Sequence, residues 1–527
     1  MSASSEFVKK LIGNQEKEQT ITSYVTKNEE WRFSVARVLL TGILNNQYYR
    51  SPQDAATEAL PLIIKAAKTD PLFLLKGAAF AREANMKGMV KLAIAALAAN
   101  AKDSFLITNR PAIISLLSTF HPGQLMQFVD LMKSKVLGKG FGSRSQKWVQ
   151  LVMESWDAKR VEEYTLKYPK DFYALLRLVH PNYTDIRGKL VSYILTSKDK
   201  GKAHGKKQKA IEKMKKSNDD NLIAKLMLEN EVPWDCVKGF HAIKGEVGLA
   251  MMTQMGLSAL LLNIRSLEQN GVLSDKNSIK ALELKLNEVK KGRSIPIDFA
   301  KPYIYSTNTQ VKKLLVKAIV DSLDNSMPQI EGRNIGVSVD ISGSMDGEPL
   351  KTAGLLSVPF LKARELWFTV FDTSLYEEPA GRLNSSYCPR LTGQTPEKQV
   401  DSLLNMTTKG GTDVGISIRK ATESKRHLDL HVLITDEQQN AGTPLITAWK
   451  EYKKKVNPRA ELWVINATNN QWHAADFKDP SITVYQTMSP AIFKNLQFVG
   501  QDLVSAINGF DHNKNNKPTV DVDDSED

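Results

Sequence analysis

Residues Val337–Pro349 read VSVDISGSMDGEP. A buried-looking strand runs into an Asp, then into Ser at alternate positions, and a helix begins near Pro349. Three hard oxygen donors at one strand end point to a divalent cation.

The surroundings give this stretch a place. From Arg333 onward NIGVSVD, ELWFTVF, DLHVLITD and AELWVINA are β-branched or aromatic runs that read as strands. PLKTAGLLSVPFLKA, TPEKQVDSLLNM, TDVGISIRKATES and TPLITAWKEYKKKV alternate with them and read as helices. The alternation predicts a mostly parallel sheet covered on both faces. Ligands of such sheets sit beyond the carboxyl ends of the strands. Asp340 ends the first strand, and Ser342 and Ser344 follow on its loop. KGGTDVG puts Thr412 on a Gly-rich loop at a helix start, and VLITDEQ ends another strand at Asp436. Five oxygen side chains therefore fall at one sheet edge. Ser and Asp before helices are also common N-caps, but capping does not call for five converging oxygens. The set suits Mg²⁺, which takes about six oxygens and keeps some of its waters. Two formal negative charges leave one position for water or for an acidic group from a partner.

Upstream the texture is helical, from about Trp31 to Leu286. SVARVLLTGILNN, SPQDAATEALPLIIKAAK, PLFLLKGAAFAREAN and KGMVKLAIAALAANA carry apolar residues at i, i+3, i+4 and i+7. Ser51–Pro52 and Asp70–Pro71 read as helix starts. Many short amphipathic helices with tight connections predict a solenoid of paired helices, although no strict sequence period is visible. KSKVLGKGFGSRSQK, Lys133–Lys147, is a Gly-rich basic loop entering a helix. Ser197–Ser217 holds nine lysines, and its second half reads as a basic helix or simply a solvated face. The tail DHNKNNKPTVDVDDSED is polar and acidic and is expected to be disordered.

Charge divides with the texture. Residues 1–332 carry 50 Lys and Arg against 33 Asp and Glu, net +17, whereas residues 333–527 carry 21 against 25, net −4. A basic front half predicts a polyanionic partner, and nucleic acid is the usual one. Two cysteines, Cys236 and Cys388, make no disulfide framework and point to a reducing compartment. No signal peptide or membrane span is legible, so a soluble cytoplasmic protein is expected, and a monomer is the separate expectation for its oligomeric state.

The spacing Asp340-x-Ser342-x-Ser344 with Thr412 and Asp436 resembles the metal-ion-dependent adhesion site of von Willebrand factor A domains. With the basic helical front half, the chain resembles the Ro autoantigen (TROVE-domain) family. VGLAMMTQMGLSALLLNIRSLEQNGVL, Val247–Leu273, is similar to that family's helix ahead of the A domain, and LGKGFGSRSQKWVQLVMESW and LLRLVHP to other segments of it. The resemblance implies a ring-like array of HEAT-like helical repeats (31–332) after an N-terminal segment (1–30). A Rossmann-like A domain (333–510) and an acidic tail (511–527) follow. It implies a non-catalytic RNA-binding protein of ribonucleoprotein particles. Such proteins bind small noncoding Y-like RNA on a basic outer surface and single-stranded 3′ ends of misfolded RNA through a central hole. Bacterial members are linked to exoribonucleases such as polynucleotide phosphorylase. By position, the implied RNA contacts are Lys139, Arg144, Lys147, Lys167, Lys170, Arg177 and His180. Tyr164, Tyr168 and Tyr183 are either stacking surfaces for unpaired bases or core residues. The sequence departs from the family at NNQYYRS, Asn45–Ser51, where a Gly-Gly-Thr-Tyr-Tyr-like segment is usual and only Tyr48 and Tyr49 remain.

Two other functions compete. A metal-dependent nuclease needs clusters of Asp and Glu, whereas hydroxyls dominate this set. A protein-interaction scaffold, whose A domain binds an acidic protein ligand through its metal, fits the same residues.

Overall fold

The computed structural model describes residues 30–41, 52–83, 89–195, 203–291, 294, 296–326, 332–378, 387–468, 479, 481–486 and 503–513. Ser51 and the Tyr48–Tyr49 segment lie outside these residues, as does the acidic tail beyond Asn513.

Helices fill the first part of the chain, from Glu30–Thr41 to Thr309–Ser326. Local chemistry starts many of them. The Asp70 carboxylate accepts from the Phe73 N–H at 3.1 Å, so Asp70 caps the helix that Pro71 opens. Asp157, Asp219 and Asp275 do the same for Ala158–Lys167, Asp220–Glu229 and Lys276–Leu286. His121 is an uncommon cap: its Nδ1 accepts from the Gly123 and Gln124 N–H groups ahead of Pro122–Lys133. The segment Val247–Leu273, similar in sequence to one family helix, is split between Gly245–Gln254 and Leu257–Gln269. Met255 and Gly256 between them take extended backbone, ψ 135° and 163°, which no helix accommodates.

The helices form two cores. The first gathers apolar side chains from Val35 to Val191. The second runs from Ala210 to Leu323 and continues without a break into one face of the A-domain sheet. A polar joint links the halves. The Glu162 carboxylate accepts from the backbone N–H groups of Lys207 (2.6 Å) and Gln208 (3.1 Å). The fully buried Gln208 side chain donates to Thr165 Oγ1 and to the Leu190 carbonyl. Lys207, in the lysine-rich run, is buried here and pairs with Glu163. The same helix, Lys206–Met214, keeps Lys206, Lys209 and Lys213 exposed.

The A-domain sheet has six strands, β1 (Asn334–Asp340), β2 (Glu365–Phe371), β3 (Leu375–Glu377), β4 (Leu430–Thr435), β5 (Glu461–Asn466) and β6 (Ile482–Gln486), in the order β3-β2-β1-β4-β5-β6. All neighbours are parallel except β2–β3. β1 and β4 are buried almost throughout, as central strands with two covered faces must be. One face shares the core of the second helical half. The other, under Trp449, Tyr452 and Ile418, has its own.

The helix Leu503–Gly509, assigned by sequence to the A domain, packs on the first helices of the chain instead. Ile507 is fully buried in the first helical core, against Gly77. Lys76 Nζ donates to the Asn508 carbonyl at 2.6 Å, and Phe80 meets Phe510 edge-on at 5.5 Å. Burial of one apolar side chain at the right spacing outweighs nearness in sequence. The path therefore runs through the first helical half, the second half and the A domain, and returns to its start.

Candidate metal centre and nucleic-acid interface

The end of β1 aims Asp340 at the carboxyl edge of the sheet, where its side chain is buried. Its Oδ1 accepts from the Ser342 N–H at 2.8 Å and its Oδ2 from the Thr435 hydroxyl at 2.6 Å. Burial pushes the carboxyl up to about 6, the hydrogen bonds offset part of this, and nearby Asp436 adds to it. Ser342 Oγ and Ser344 Oγ lie 3.2 Å apart in the turn that follows. Asp436, one residue past β4, is buried and accepts from the Gln438 N–H at 3.1 Å.

Thr412 comes from a separate loop, four residues ahead of the helix Ile416–Glu423. That loop is tied to the first: the Lys409 N–H donates to the Ile341 carbonyl at 2.6 Å, and the Gly343 N–H to the Gly410 carbonyl at 3.1 Å. Gly410 has φ +69°, and a Cβ there would lie 2.7 Å from Asp372 Oδ2, so only glycine fits. The Thr412 N–H donates to Asn440 Oδ1, and its carbonyl accepts from the Asn440 and Ala441 N–H groups. Behind it, Arg419 clamps the buried Asp413. Sequence reading missed this brace, because nothing in the spacing of Asp413, Arg419 and Asn440 marks them as partners.

All five predicted oxygens thus come to one edge of one sheet, on three loops. The donor set fits Mg²⁺: two buried carboxylates, with the charge of Asp436 raising Asp340, and three hydroxyls alongside. Among the described residues no three His, Cys, Asp or Glu side chains gather as a metal-binding group, so the carboxylate-rich set of a two-metal nuclease is not found there.

The predicted RNA contacts divide. Lys139, Arg144 and Lys147 are exposed around the start of the helix Ser143–Glu154. Arg144 donates to Asp103 at 2.9 Å and holds that carboxyl below its ordinary value, with Lys139 contributing. Lys147 donates to Gln150, whose amide reaches the His180 carbonyl at 3.4 Å. His180 ends the helix Pro169–Val179 in the left-handed conformation, φ 48°, with its ring exposed, and Arg177 is exposed one turn before it. Lys170 is exposed at the other end of that helix. Lys167 does not share this surface. It is 16% exposed and lies 3.8 Å from Asp235, which draws it towards the second helical half. Tyr164 is core, edge-on to Trp156 and Phe172. Tyr168 stacks on His121, and Tyr183 donates to the Met153 carbonyl under Arg187.

A sequence profile described as the Ro60 vWA domain matches residues 335–486. Over these residues the chain carries an A domain of the Ro60 type. The crystal structure of the Deinococcus radiodurans Ro (RSR) protein matches with a TM-score of 0.69 at 20% identity, over 88% of this chain and 99% of that one. The likeness in fold therefore extends over the helical array as well as the A domain, and the candidate metal ligands Asp340, Ser342, Ser344, Thr412 and Asp436 all lie inside the matched A domain.

Proposed function

We propose that this Ro-type chain is a non-catalytic RNA-binding protein of ribonucleoprotein particles. Its helical array holds small noncoding, Y-like RNA on the surface around Lys139, Arg144, Lys147, Arg177 and His180. Single-stranded 3′ ends of misfolded RNA are its second class of ligand, for quality control or for delivery to a 3′-exoribonuclease. The charge partition carries the reading: net +17 sits on the helical part and net −4 on the rest, so a polyanion is drawn to one part only. The basic side chains named are exposed and grouped where two helix ends meet, which suits phosphates better than base edges. The A domain holds Mg²⁺ through Asp340, Ser342, Ser344, Thr412 and Asp436 as a structural and partner-binding ion. A cytoplasmic location goes with a chain of two cysteines, Cys236 and Cys388, whose thiols burial pushes up. No helix among the described residues is long and apolar enough to cross a membrane.

The test is RNA affinity across a salt series, with a hairpin RNA and with a structured RNA bearing a single-stranded 3′ end. A steep log–log salt slope with tighter binding than a basic control protein is expected. Binding no tighter than the control rejects the proposal. Metal is tested separately, by a Mg²⁺-dependent rise in melting temperature that Ser344→Ala reduces.

A further inference from the structure

Lys409 sits between the two A-domain loops that carry the metal-site oxygens, through its backbone bond to Ile341. Its exposed side chain turns towards β3. The ammonium lies 4.5 Å from the ring centroid of Tyr387 and 5.2 Å from that of Tyr376, and it donates to the Tyr376 hydroxyl at 3.0 Å. That hydroxyl donates in turn to Asp372 at 3.3 Å. The backbone carbonyl of Asp372 accepts from the Asp413 N–H, next to Thr412. The two rings are 5.4 Å apart and tilted by 47°, so they form an open corner with the ammonium in it. A lysine on a loop is ordinarily a mobile point charge. This one is held in place by two rings and a hydroxyl, on the same loop as Thr412.

We propose that Tyr376, Tyr387 and Lys409 form an anion subsite next to the cation, so that the A domain selects a ligand with two carboxylates, an acidic peptide segment. One carboxylate binds the cation and the other binds Lys409. The proposal rests on the reading that the A domain holds a divalent cation. Of the three ammonium N–H donors, one is used by Tyr376, which leaves two for an incoming acceptor. The ammonium covers the ring faces, so a nucleobase cannot stack there without displacing it. The domain around it is neutral over residues 333–510, with 19 Lys and Arg against 19 Asp and Glu, so it offers a polyanion no extended positive field, whereas a short ligand needs only the local cation and lysine.

The experiment uses the full chain and fluorescence anisotropy with labelled peptides in MgCl₂ and again in EDTA. The probes, all C-terminally amidated, are Gly-Glu-Gly-Glu-Gly, Gly-Glu-Glu-Gly-Gly and the single-carboxylate control Gly-Glu-Gly-Gln-Gly. With Mg²⁺ present, at least one two-carboxylate peptide is expected to bind about fivefold tighter than the control, the upper range for one exposed ion pair. Lys409→Met should bring the peptides to parity, and Tyr376→Phe, which frees the ammonium, should give an intermediate ratio. The subsite is overturned if Lys409→Met leaves the ratio unchanged. It is also overturned if no peptide binds while Mg²⁺ still raises the melting temperature, or if Lys409→Met weakens a single-stranded RNA probe instead. If Mg²⁺ moves neither binding nor melting temperature, the underlying metal reading falls, and the subsite with it.

Discussion

At the scale of single residues, two side chains make sharp predictions. His431 on β4 is buried among Ser338, Ser417, Thr369 and the edge of Trp367, none of which carries charge near neutrality. Its Nε2 lies 3.2 Å from both Ser338 Oγ and Ser417 Oγ, and burial lowers its pKa to about 3. The unfolded chain binds the proton near pH 6.5 and the folded one does not. The contribution of His431 is therefore fully present above pH 6.5 and is lost as pH falls from there towards 3, by about 1.4 kcal/mol per unit. Urea unfolding of the A domain at pH 6.5, 5.5 and 4.5 should show this slope, and His431→Gln should flatten it. An equal slope in the variant assigns the effect to other groups. The second residue is Asp103, which already occupies Arg144. If Arg144 meets phosphate, Asp103 competes with RNA for it. Asp103→Asn should then tighten RNA binding by about twofold to fivefold at low salt, in the range of an exposed pair. Weaker or unchanged binding would remove Arg144 from the interface.

At the scale of elements, the loop and helix from Lys139 to Lys147 are a unit. Replacing Lys139, Arg144 and Lys147 together by Ala should lower the salt slope for single-stranded RNA by about 2, at roughly 0.7 per phosphate contact. Replacing Lys167 by Ala should leave the slope unchanged, because that side chain faces Asp235. A slope lost equally in both variants would mean that a diffuse charge, not this unit, holds the RNA. Elements also show what the sequence carried. β1, β2, β4 and β5 were legible because central parallel strands are continuous apolar runs. β3 was not, because three residues on an edge have no period to read. The helix Thr309–Ser326 went unread although VKKLLVKAIVDSL has a helical apolar pattern. It packs on the A-domain helix Pro396–Leu404 and joins the two parts. The placement of Asp340, Ser342, Ser344, Thr412 and Asp436 at one sheet edge was legible, since each ends a strand or lies on a loop beside one. The brace of Asp413, Arg419 and Asn440 was not, because hydrogen bonds between loops leave no spacing rule. The grouping of the basic residues was half legible: composition gives the charge, but only packing separates Lys147 and His180, linked through Gln150, from Lys167.

At the scale of the whole molecule, the return of Leu503–Gly509 to the first helices decides how the parts are coupled. The A domain is bound on one side through a continuous apolar core with the second helical half. On the other side the short helix that follows it docks on the first half, with Ile507 buried there. A seven-residue helix does not hold itself together in water, so its stability comes from that docking. Ile507→Ala should cost about 2–5 kcal/mol, the range for emptying a fully buried aliphatic site, but the cost should fall on one region. Hydrogen exchange should rise in Glu30–Thr41 and Pro71–Glu83, which pack on the helix, while β1, β2, β4 and β5 stay protected. Loss of protection in the strands would return the helix to the A domain, as its sequence position alone implied. Loss in neither would mean that the docking contributes little, and that the circuit from helical array to A domain and back is held at one joint only.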